Sequence, residues 1–271
     1  MNQIDNIIDN ALAEDIHTGD ITTLSVVPKP RRMRARLVAK EDMVLSGIDV
    51  ARRVFAKLDA EIVFTAHFQD GAWLNKGDII AVMEGNAATL LQGERVSLNL
   101  LQRMSGIATQ TAAYVKELEG TCARVVDTRK TTPGLRVLEK YSVRVGGGTN
   151  HRTGLYDGVL IKENHIAAAG GIAEAVRAAR AYIPHTLKIE VETETLDEVQ
   201  QALAAGADII MLDNMSLEQM TEAVQIINKR ALVEASGGVN LKTIRSIAQT
   251  GVDIISVGAL THSVRATDIS M

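Results

Sequence analysis

The part of the chain after Gly120 alternates short β-branched runs with segments of helical periodicity, and this alternation restricts the fold more than any other feature. The runs predict six strands, at residues 124–127, 158–162, 187–191, 208–212, 232–235 and 253–257. The segments between them predict helices over residues 135–142, 171–182, 196–204, 217–228 and 240–249. Strands that alternate with helices form βαβ units, so we expect a parallel sheet. Six strands are fewer than the eight of a closed barrel, so the pattern alone leaves open an incomplete α/β barrel and a doubly wound sheet.

The first third of the chain has a different pattern. Apolar residues at helical spacing predict helices over residues 3–14, around 50–58 and over 88–118. Alternation of apolar and polar residues predicts strands at 33–40, 61–66 and 78–84, with glycines at the turns. This region therefore indicates a mixed α+β unit that is separate from the parallel sheet.

Nearly every predicted strand after Gly120 ends in polar or charged residues. These residues are Asp127-Thr128-Arg129-Lys130, Lys162, Glu190 with Glu192, Asp213-Asn214, Glu234-Ala235-Ser236-Gly237-Gly238 and Ser256-Val257-Gly258. In barrel enzymes the active site lies at the carboxyl ends of the strands. Because the polar residues recur at that end, we favour an open α/β barrel and expect them to meet at one mouth.

A cationic cluster lies in an acidic chain. The net charge is -4, yet a window of 39 residues, 127–165, contains Arg129, Lys130, His151, Arg152 and Lys162 among flexible glycines. Nucleic-acid binding usually needs a basic face, whereas Arg and Lys at one point suit carboxylates and phosphates. The cluster indicates a small polyanionic ligand and no nucleic-acid partner. The alternatives are a solvated basic rim and, for His151, a hydrogen-bonded structural histidine.

Two glycine loops and two carboxylates indicate further parts of a site. Ser236-Gly237-Gly238 and Ser256-Val257-Gly258 suit a phosphate, because glycines let the backbone approach an anion and the following helix N-termini attract it. The alternative is that these glycines only close tight turns. Glu192 and Asp213 suit magnesium or sugar hydroxyls, although Asp213 could instead cap the next helix. From strand alternation, we expect Glu190 to point away from them.

The remaining composition limits the compartment and the covalent chemistry. The chain has 1 Cys, Cys122, which excludes an intramolecular disulfide and a cysteine zinc cluster. Residues 1–5 lack the pattern of a secretory signal, and no apolar run is long enough to span a bilayer. We therefore expect a cytoplasmic protein with no membrane partner.

Several long motifs, in order, resemble those of the quinolinate phosphoribosyltransferase family. They are Asp127-Thr128-Arg129-Lys130-Thr131-Thr132-Pro133-Gly134, Gly146-Gly147-Gly148-Thr149-Asn150-His151-Arg152, Met211-Leu212-Asp213-Asn214, Glu234-Ala235-Ser236-Gly237-Gly238 and Ser256-Val257-Gly258-Ala259. The resemblance begins at Glu14-Asp15 and continues to the C-terminus. Ile16-His17 departs from the family pattern, in which a glycine often stands before Gly19-Asp20, and this affects only the local loop.

This resemblance implies a fold and an activity. The fold would be an N-terminal α/β sandwich domain at 1–105, to which a tail at 264–271 returns, and an open α/β barrel at 106–263. The activity would be transfer of phosphoribose from phosphoribosyl pyrophosphate to quinolinate with loss of CO2, giving nicotinate mononucleotide and pyrophosphate for NAD biosynthesis. It would need Mg2+ and a homodimer, or a higher oligomer, with shared sites.

The resemblance also implies a role for each site residue. Arg129, His151, Arg152 and Lys162 would hold the two carboxylates of quinolinate, with Thr128 beside them. Lys130 would reach the phosphoribosyl donor, and Glu192 and Asp213 would bind the ribose hydroxyls with Mg2+ nearby. Ser236, Gly237, Gly238, Ser256, Val257 and Gly258 would hold phosphate, and Arg95 would enter the partner subunit's site. The alternatives are a related phosphoribosyltransferase with another acceptor and a non-catalytic regulator that binds phosphosugars or dicarboxylates.

Overall fold

The computed structural model describes residues 3–27 and 29–271, so the parts of our predictions that include Met1, Asn2 or Pro28 lie outside the described residues. The chain divides into two compact units. The first extends to Ala112 and also contains Thr131–Gly147 and Thr261–Met271, and the second contains Ala113–Lys130 and Gly148–Leu260. The domain boundary at residue 105 stays a prediction.

The helices and strands are as follows. The helices are α1 Gln3–Ile16, α2 Ile21–Val26, α3 Ile48–Leu58, α4 Ala87–Glu117, α5 Arg136–Val145, α6 Glu163–Ala169, α7 Ile172–Tyr182, α8 Leu196–Ala204, α9 Leu217–Ile227, α10 Ile244–Gln249 and α11 Ala259–His262. The strands are β1 Arg32–Ala39, β2 Met43–Val44, β3 Val63–Ala66, β4 Trp73–Leu74, β5 Ile79–Asn86, β6 Arg124–Val126, β7 Val159–Ile161, β8 Ile189–Thr193, β9 Ile209–Asp213, β10 Leu232–Ser236, β11 Ile254–Ser256 and β12 Ile269–Ser270.

The first unit contains an antiparallel sheet with strand order β12-β1-β5-β3. Strand β1 shows the alternation that the sequence predicts, because Arg34 and Arg36 are exposed while Leu37 and Ala39 are buried. The buried side chains of the sheet pack with Phe55 of α3 and with the apolar face of α4. Burial of this apolar surface is the main favourable contribution to folding of the unit.

The second unit contains six parallel strands in the order β6-β11-β10-β9-β8-β7. Strands β6 and β7 stand at the two ends of this order, so the barrel is not closed. The segment after the glycine triplet pairs with the free side of β6 through a parallel bridge between Thr149 and Val126. The expectation of an open α/β barrel is therefore confirmed.

The sequence located most elements within a few residues but missed several short ones. Helices α2, α6 and α11 and strands β2, β4 and β12 were not predicted, because each has too few residues for a periodic pattern. Helix α10 begins at Ile244, four residues later than the predicted start at 240. Among the described residues, no helix is both long enough and apolar enough to cross a lipid bilayer.

Candidate active site

The polar residues at the strand ends of the second unit enclose one cavity of about 610 Å³. Its lining residues are Thr128, Arg129, Lys130, His151, Arg152, Leu160, Lys162, Glu192, Met211, Asp213, Asn214, Glu234, Ser236, Gly237, Gly238 and Ser256. Three of the predicted site residues do not line it. Val257 and Gly258 follow Ser256 beyond the end of β11, and Arg95 is an exposed residue of α4.

Strand alternation explains how these side chains enter the barrel. Side chains two residues apart on a strand share a face, so Met211 and Asp213 of β9 both line the cavity, as do Glu234 and Ser236 of β10. The strands are also in register, since Ser236 lies opposite Asp213. The last inward residue of each strand thus lies at the mouth.

Hydrogen bonds to a buried aspartate position the segment that carries His151 and Arg152. The Asp127 carboxylate is fully buried and accepts hydrogen bonds from the backbone N–H of His151 (2.9 Å) and from the Asn150 side-chain amide. The backbone N–H of Asp127 donates to the Thr149 carbonyl oxygen at 3.2 Å. These hydrogen bonds hold the loop against the edge of β6.

Arg152 and Arg129 supply the positive charge of the cavity. The Arg152 Nη1 donates to the Gly158 carbonyl oxygen at 3.1 Å, which fixes the guanidinium near the start of β7. Burial lowers the pKa of Arg152, and the nearby Arg129 cation lowers it further, while Glu190 and Asp157 act in the opposite direction. Two guanidinium groups that repel each other, Arg152 partly buried and Arg129 exposed, are suited to a dianionic ligand.

Lys162 and Glu192 form an ion pair at the mouth of the cavity. The Lys162 side chain is 47% exposed, so the pair adds little to folding stability. The ammonium group and the carboxylate are therefore available for exchange of partners when a charged ligand binds.

The carboxylates at the mouth do not cap the helices that follow them. The N-cap of α9 is Ser216 and that of α8 is Thr195, each with a complete capping box. Asp213 instead accepts a hydrogen bond from the Asn214 side-chain amide at 2.9 Å and lines the cavity. The capping alternative for Asp213 is therefore wrong.

The loop after β10 has an unusual backbone. Gly237 and Gly238 have positive φ angles of 93° and 60°, and Asn214 beside them has a φ of 54°. A Cβ on Gly237 would lie 2.1 Å from the Asn214 Oδ1, so only glycine fits there without movement of Asn214. We expected a helix N-terminus directly after this loop, and that was wrong because α10 starts only at Ile244. The groups that can bind an anion here are therefore the backbone amides of the loop itself.

A cluster of His151, Glu190 and Glu234 lies below the mouth. The His151 Nε2 lies 3.0 Å from the Glu190 Oε2 and 3.7 Å from the Glu234 Oε2. The His151 Nδ1 accepts the backbone N–H of Arg152 at 2.8 Å, so the proton of the neutral ring is assigned to Nε2. Our expectation that Glu190 points away was wrong, because Glu190 has the same strand parity as Glu192 and faces the interior.

Glu234 was not singled out as a site residue from the sequence. It is 1% exposed, and burial together with the Glu190 carboxylate raises its pKa to about 8 against the weaker opposing effects of His151 and Ser256. The sequence did contain one indication of its role. Glu234 stands two residues before Ser236, so both side chains lie on the same face of β10, inside the barrel.

Family models match nearly the whole of this chain. Residues 20–105 match the quinolinate phosphoribosyl transferase N-terminal domain, and residues 107–271 match the C-terminal domain of the same family. The chain belongs to the quinolinate phosphoribosyltransferase family. The cavity described above lies in residues that match the C-terminal family domain.

Individual members of the family are similar over 81–95% of their own length. The probable nicotinate-nucleotide pyrophosphorylase [carboxylating] of Bacillus subtilis is 46% identical over 269 residues, which cover 99% of this chain and 93% of the relative. The chloroplastic nicotinate-nucleotide pyrophosphorylase [carboxylating] of Arabidopsis thaliana is 43% identical, with 98% and 81% covered. The crystal structure of NadC from Streptococcus pyogenes superposes with a TM-score of 0.96 at 47% identity and covers 99% of this chain and 95% of that one.

Proposed function

We propose that this protein is a decarboxylating quinolinate phosphoribosyltransferase, which makes nicotinate mononucleotide, pyrophosphate and CO2 from quinolinate and phosphoribosyl pyrophosphate. The observation that carries the proposal is the composition of one cavity. It combines the cations of Arg129, Lys130, Arg152 and Lys162 with the carboxylates of Glu192 and Asp213 and a glycine loop. Family membership, shown by both domain models, supports the same reaction.

The proposed quinolinate site uses the cations on the β6 and β7 side of the cavity. Arg129, Arg152 and Lys162 hold the two ring carboxylates, because guanidinium and ammonium groups form charge-assisted hydrogen bonds with carboxylates. His151 was also expected to hold a carboxylate. Both of its ring nitrogens have partners within the protein. His151 therefore positions Arg152 through the hydrogen bond from the Arg152 backbone N–H, and its ring contacts the ligand.

The proposed site for the phosphoribosyl donor lies opposite. Lys130 reaches the pyrophosphate, while Glu192 and Asp213 accept hydrogen bonds from the ribose hydroxyls. The backbone and hydroxyl groups of Ser236, Gly237, Gly238 and Ser256 hold the 5′-phosphate, with Val257 and Gly258 shaping the second loop. Arg95 completes the site of the partner subunit in a homodimer. The dimer and the cytoplasmic location stay predictions from the sequence.

The donor set of the cavity fits Mg2+. Glu192 and Asp213 offer hard carboxylate oxygens at one mouth, and magnesium commonly takes one or two carboxylates together with substrate phosphates. The ion would supply positive charge to the departing pyrophosphate. The protein side chains position the donor and stabilise the positive charge that develops at the anomeric carbon.

Catalysis in this proposal depends mainly on binding and orientation. The cations fix the quinolinate ring so that its nitrogen faces the anomeric carbon, and such positioning alone can remove about 7–11 kcal/mol of barrier. The ring nitrogen forms the new C–N bond as the C–O bond to pyrophosphate breaks, without a covalent enzyme intermediate. Detection of a ribosylated protein adduct by mass spectrometry would contradict this.

The test is a direct assay of the purified protein with quinolinate, phosphoribosyl pyrophosphate and Mg2+. We expect nicotinate mononucleotide and pyrophosphate in equal amounts, and no product when nicotinate replaces quinolinate. Asp213→Asn, which keeps the shape of the side chain and removes its charge, should reduce kcat. Binding of quinolinate without turnover would instead indicate a regulator, and turnover only with another acceptor would indicate a related transferase.

A further inference from the structure

Two buried carboxyl groups face each other inside the barrel and take no part in the reaction as described so far. Glu190 and Glu234, here called the buried acid pair, are 4% and 1% exposed. Each has one oxygen, Oε1, that is buried and lacks a hydrogen-bond partner among the described residues. Unpartnered buried carboxyl oxygens are costly and are retained where they serve a function.

The surroundings of Glu234 favour its neutral, protonated form. The groups that face Glu234 are Glu190 from β8, the His151 imidazole from the segment beside β6, and Ser256 from β11. Burial and the adjacent Glu190 carboxylate disfavour a charge on Glu234 more strongly than His151 and Ser256 favour it. The pKa of Glu234 is therefore raised, and its carboxyl group holds a proton that it can donate.

Glu234 also connects two cavities. It lines the active-site cavity together with Arg129, Lys162 and Asp213. It lines a second cavity of about 480 Å³ as well, which lies next to β6 and β7 at the open side of the barrel. The second cavity is bordered by polar side chains, including Arg124, Asp157 and Lys188, and is therefore suited to water.

We propose that Glu234 is the general acid that protonates carbon C2 of the pyridine ring as the adjacent carboxylate leaves as CO2. The proposal rests on the proposed function. The C2–carboxylate bond breaks and leaves its electron pair on C2, next to the cationic ring nitrogen. In the same step that electron pair forms the C2–H bond with the Glu234 proton, and the Glu234 O–H bond breaks. Water in the second cavity returns a proton to Glu234, so the cycle needs no further reactant.

Two other groups of the cavity that could donate a proton, His151 and Lys162, are less suitable. The His151 proton lies on Nε2, which faces the buried acid pair, and Nδ1 is occupied by a backbone N–H. Lys162 is paired with Glu192 at the mouth. Glu234 alone among these combines contact with the substrate cavity, a neutral carboxyl group and a separate route for reprotonation.

The test separates the two chemical steps in a single turnover. With Glu234→Gln, we expect quinolinate-dependent release of pyrophosphate at nearly the wild-type rate. Formation of nicotinate mononucleotide should slow by about 100-fold, within the usual range for loss of a general acid. The carboxylated nucleotide should accumulate and be visible by mass spectrometry. Glu234→Asp, which keeps the acid, should restore much of the second step, which a purely structural role would not predict.

Formation of nicotinate mononucleotide as fast as pyrophosphate in Glu234→Gln would overturn the proposal. Failure of the wild-type protein to release pyrophosphate would instead reject the proposed function. Should the glutamine variant not fold, the rates of the two steps are measured for the wild-type protein in D2O. Formation of the mononucleotide should slow there while pyrophosphate release does not, and equal effects on both steps would reject Glu234 as the acid.

Discussion

Substitution of Gly237 by alanine should damage the site through Asn214, without a change in any charged group. The added Cβ would lie 2.1 Å from the Asn214 Oδ1, 2.5 Å from its Cγ and 3.0 Å from its backbone nitrogen. Rotation of the Asn214 side chain relieves only the first two contacts. Any such rotation also breaks the 2.9 Å hydrogen bond that Asn214 donates to Asp213.

The expected magnitude has two parts. An alanine at a φ of 93° is strained by about 1–2 kcal/mol, which lowers the free energy of unfolding. Loss of a hydrogen bond to a charged carboxylate costs about 1.5–3 kcal/mol. If Asp213 contacts the ribose, kcat/KM for phosphoribosyl pyrophosphate should fall by about 10–100-fold.

Gly238→Ala is the matched control. Gly238 also has a positive φ, 60°, but a Cβ there would meet nothing within 4 Å. Both variants should therefore lose stability in urea denaturation, whereas Gly237→Ala should lose about tenfold more kcat/KM than the control. Equal losses of kcat/KM in the two variants would refute the argument from Asn214.

Three further predictions concern charged groups. Arg152→Ala should lower kcat/KM for quinolinate by the equivalent of about 2–5 kcal/mol in steady-state kinetics, and a change below about threefold would exclude Arg152 as a carboxylate ligand. The Glu139 carboxylate is 1% exposed and accepts hydrogen bonds from the Arg103 Nε (2.8 Å) and the Thr132 backbone N–H (3.1 Å). Glu139→Gln should therefore lower the free energy of unfolding, measured in urea, by about 2–4 kcal/mol. An unchanged urea midpoint would contradict this. The raised pKa of Glu234 lets the folded state bind more protons than the unfolded state. The free energy of unfolding should therefore fall, by up to about 1.4 kcal/mol per pH unit, as the pH rises from the ordinary pKa of a glutamate to about 8. Glu234→Gln should remove that slope, and an identical slope in both proteins would contradict the assignment.

Local sequence patterns predicted most of the residues at the mouth. Lys162, Glu192, Asp213 and Ser236 each end or follow a β-branched run, and in a parallel sheet such positions lie at one edge. The structure encloses all four in one cavity. Their prediction needed only the alternation of strands and helices, which short-range sequence contains.

The same patterns failed where contacts join distant segments. The pairing of His151 with Glu190 and Glu234 joins three separate segments of the second unit, and no spacing in the sequence indicates it. Glu190 was predicted to point away from Glu192 and Asp213, although it stands two residues before Glu192 on β8 and so shares its face. The glycine loop was predicted to lead directly into a helix, yet its shape follows from the close approach of Asn214 to Gly237.

The succession of strands and helices along the chain, the parallel sheet and the kinds of charge at its edge followed from the sequence, because periodicity and residue type are local properties. The order of the strands within the sheet, the second cavity and the proton held by Glu234 were decided only by the tertiary structure. The pKa of a carboxyl group depends on the water it has lost and on the charges that folding brings beside it, and neither is a property of neighbouring residues in the chain.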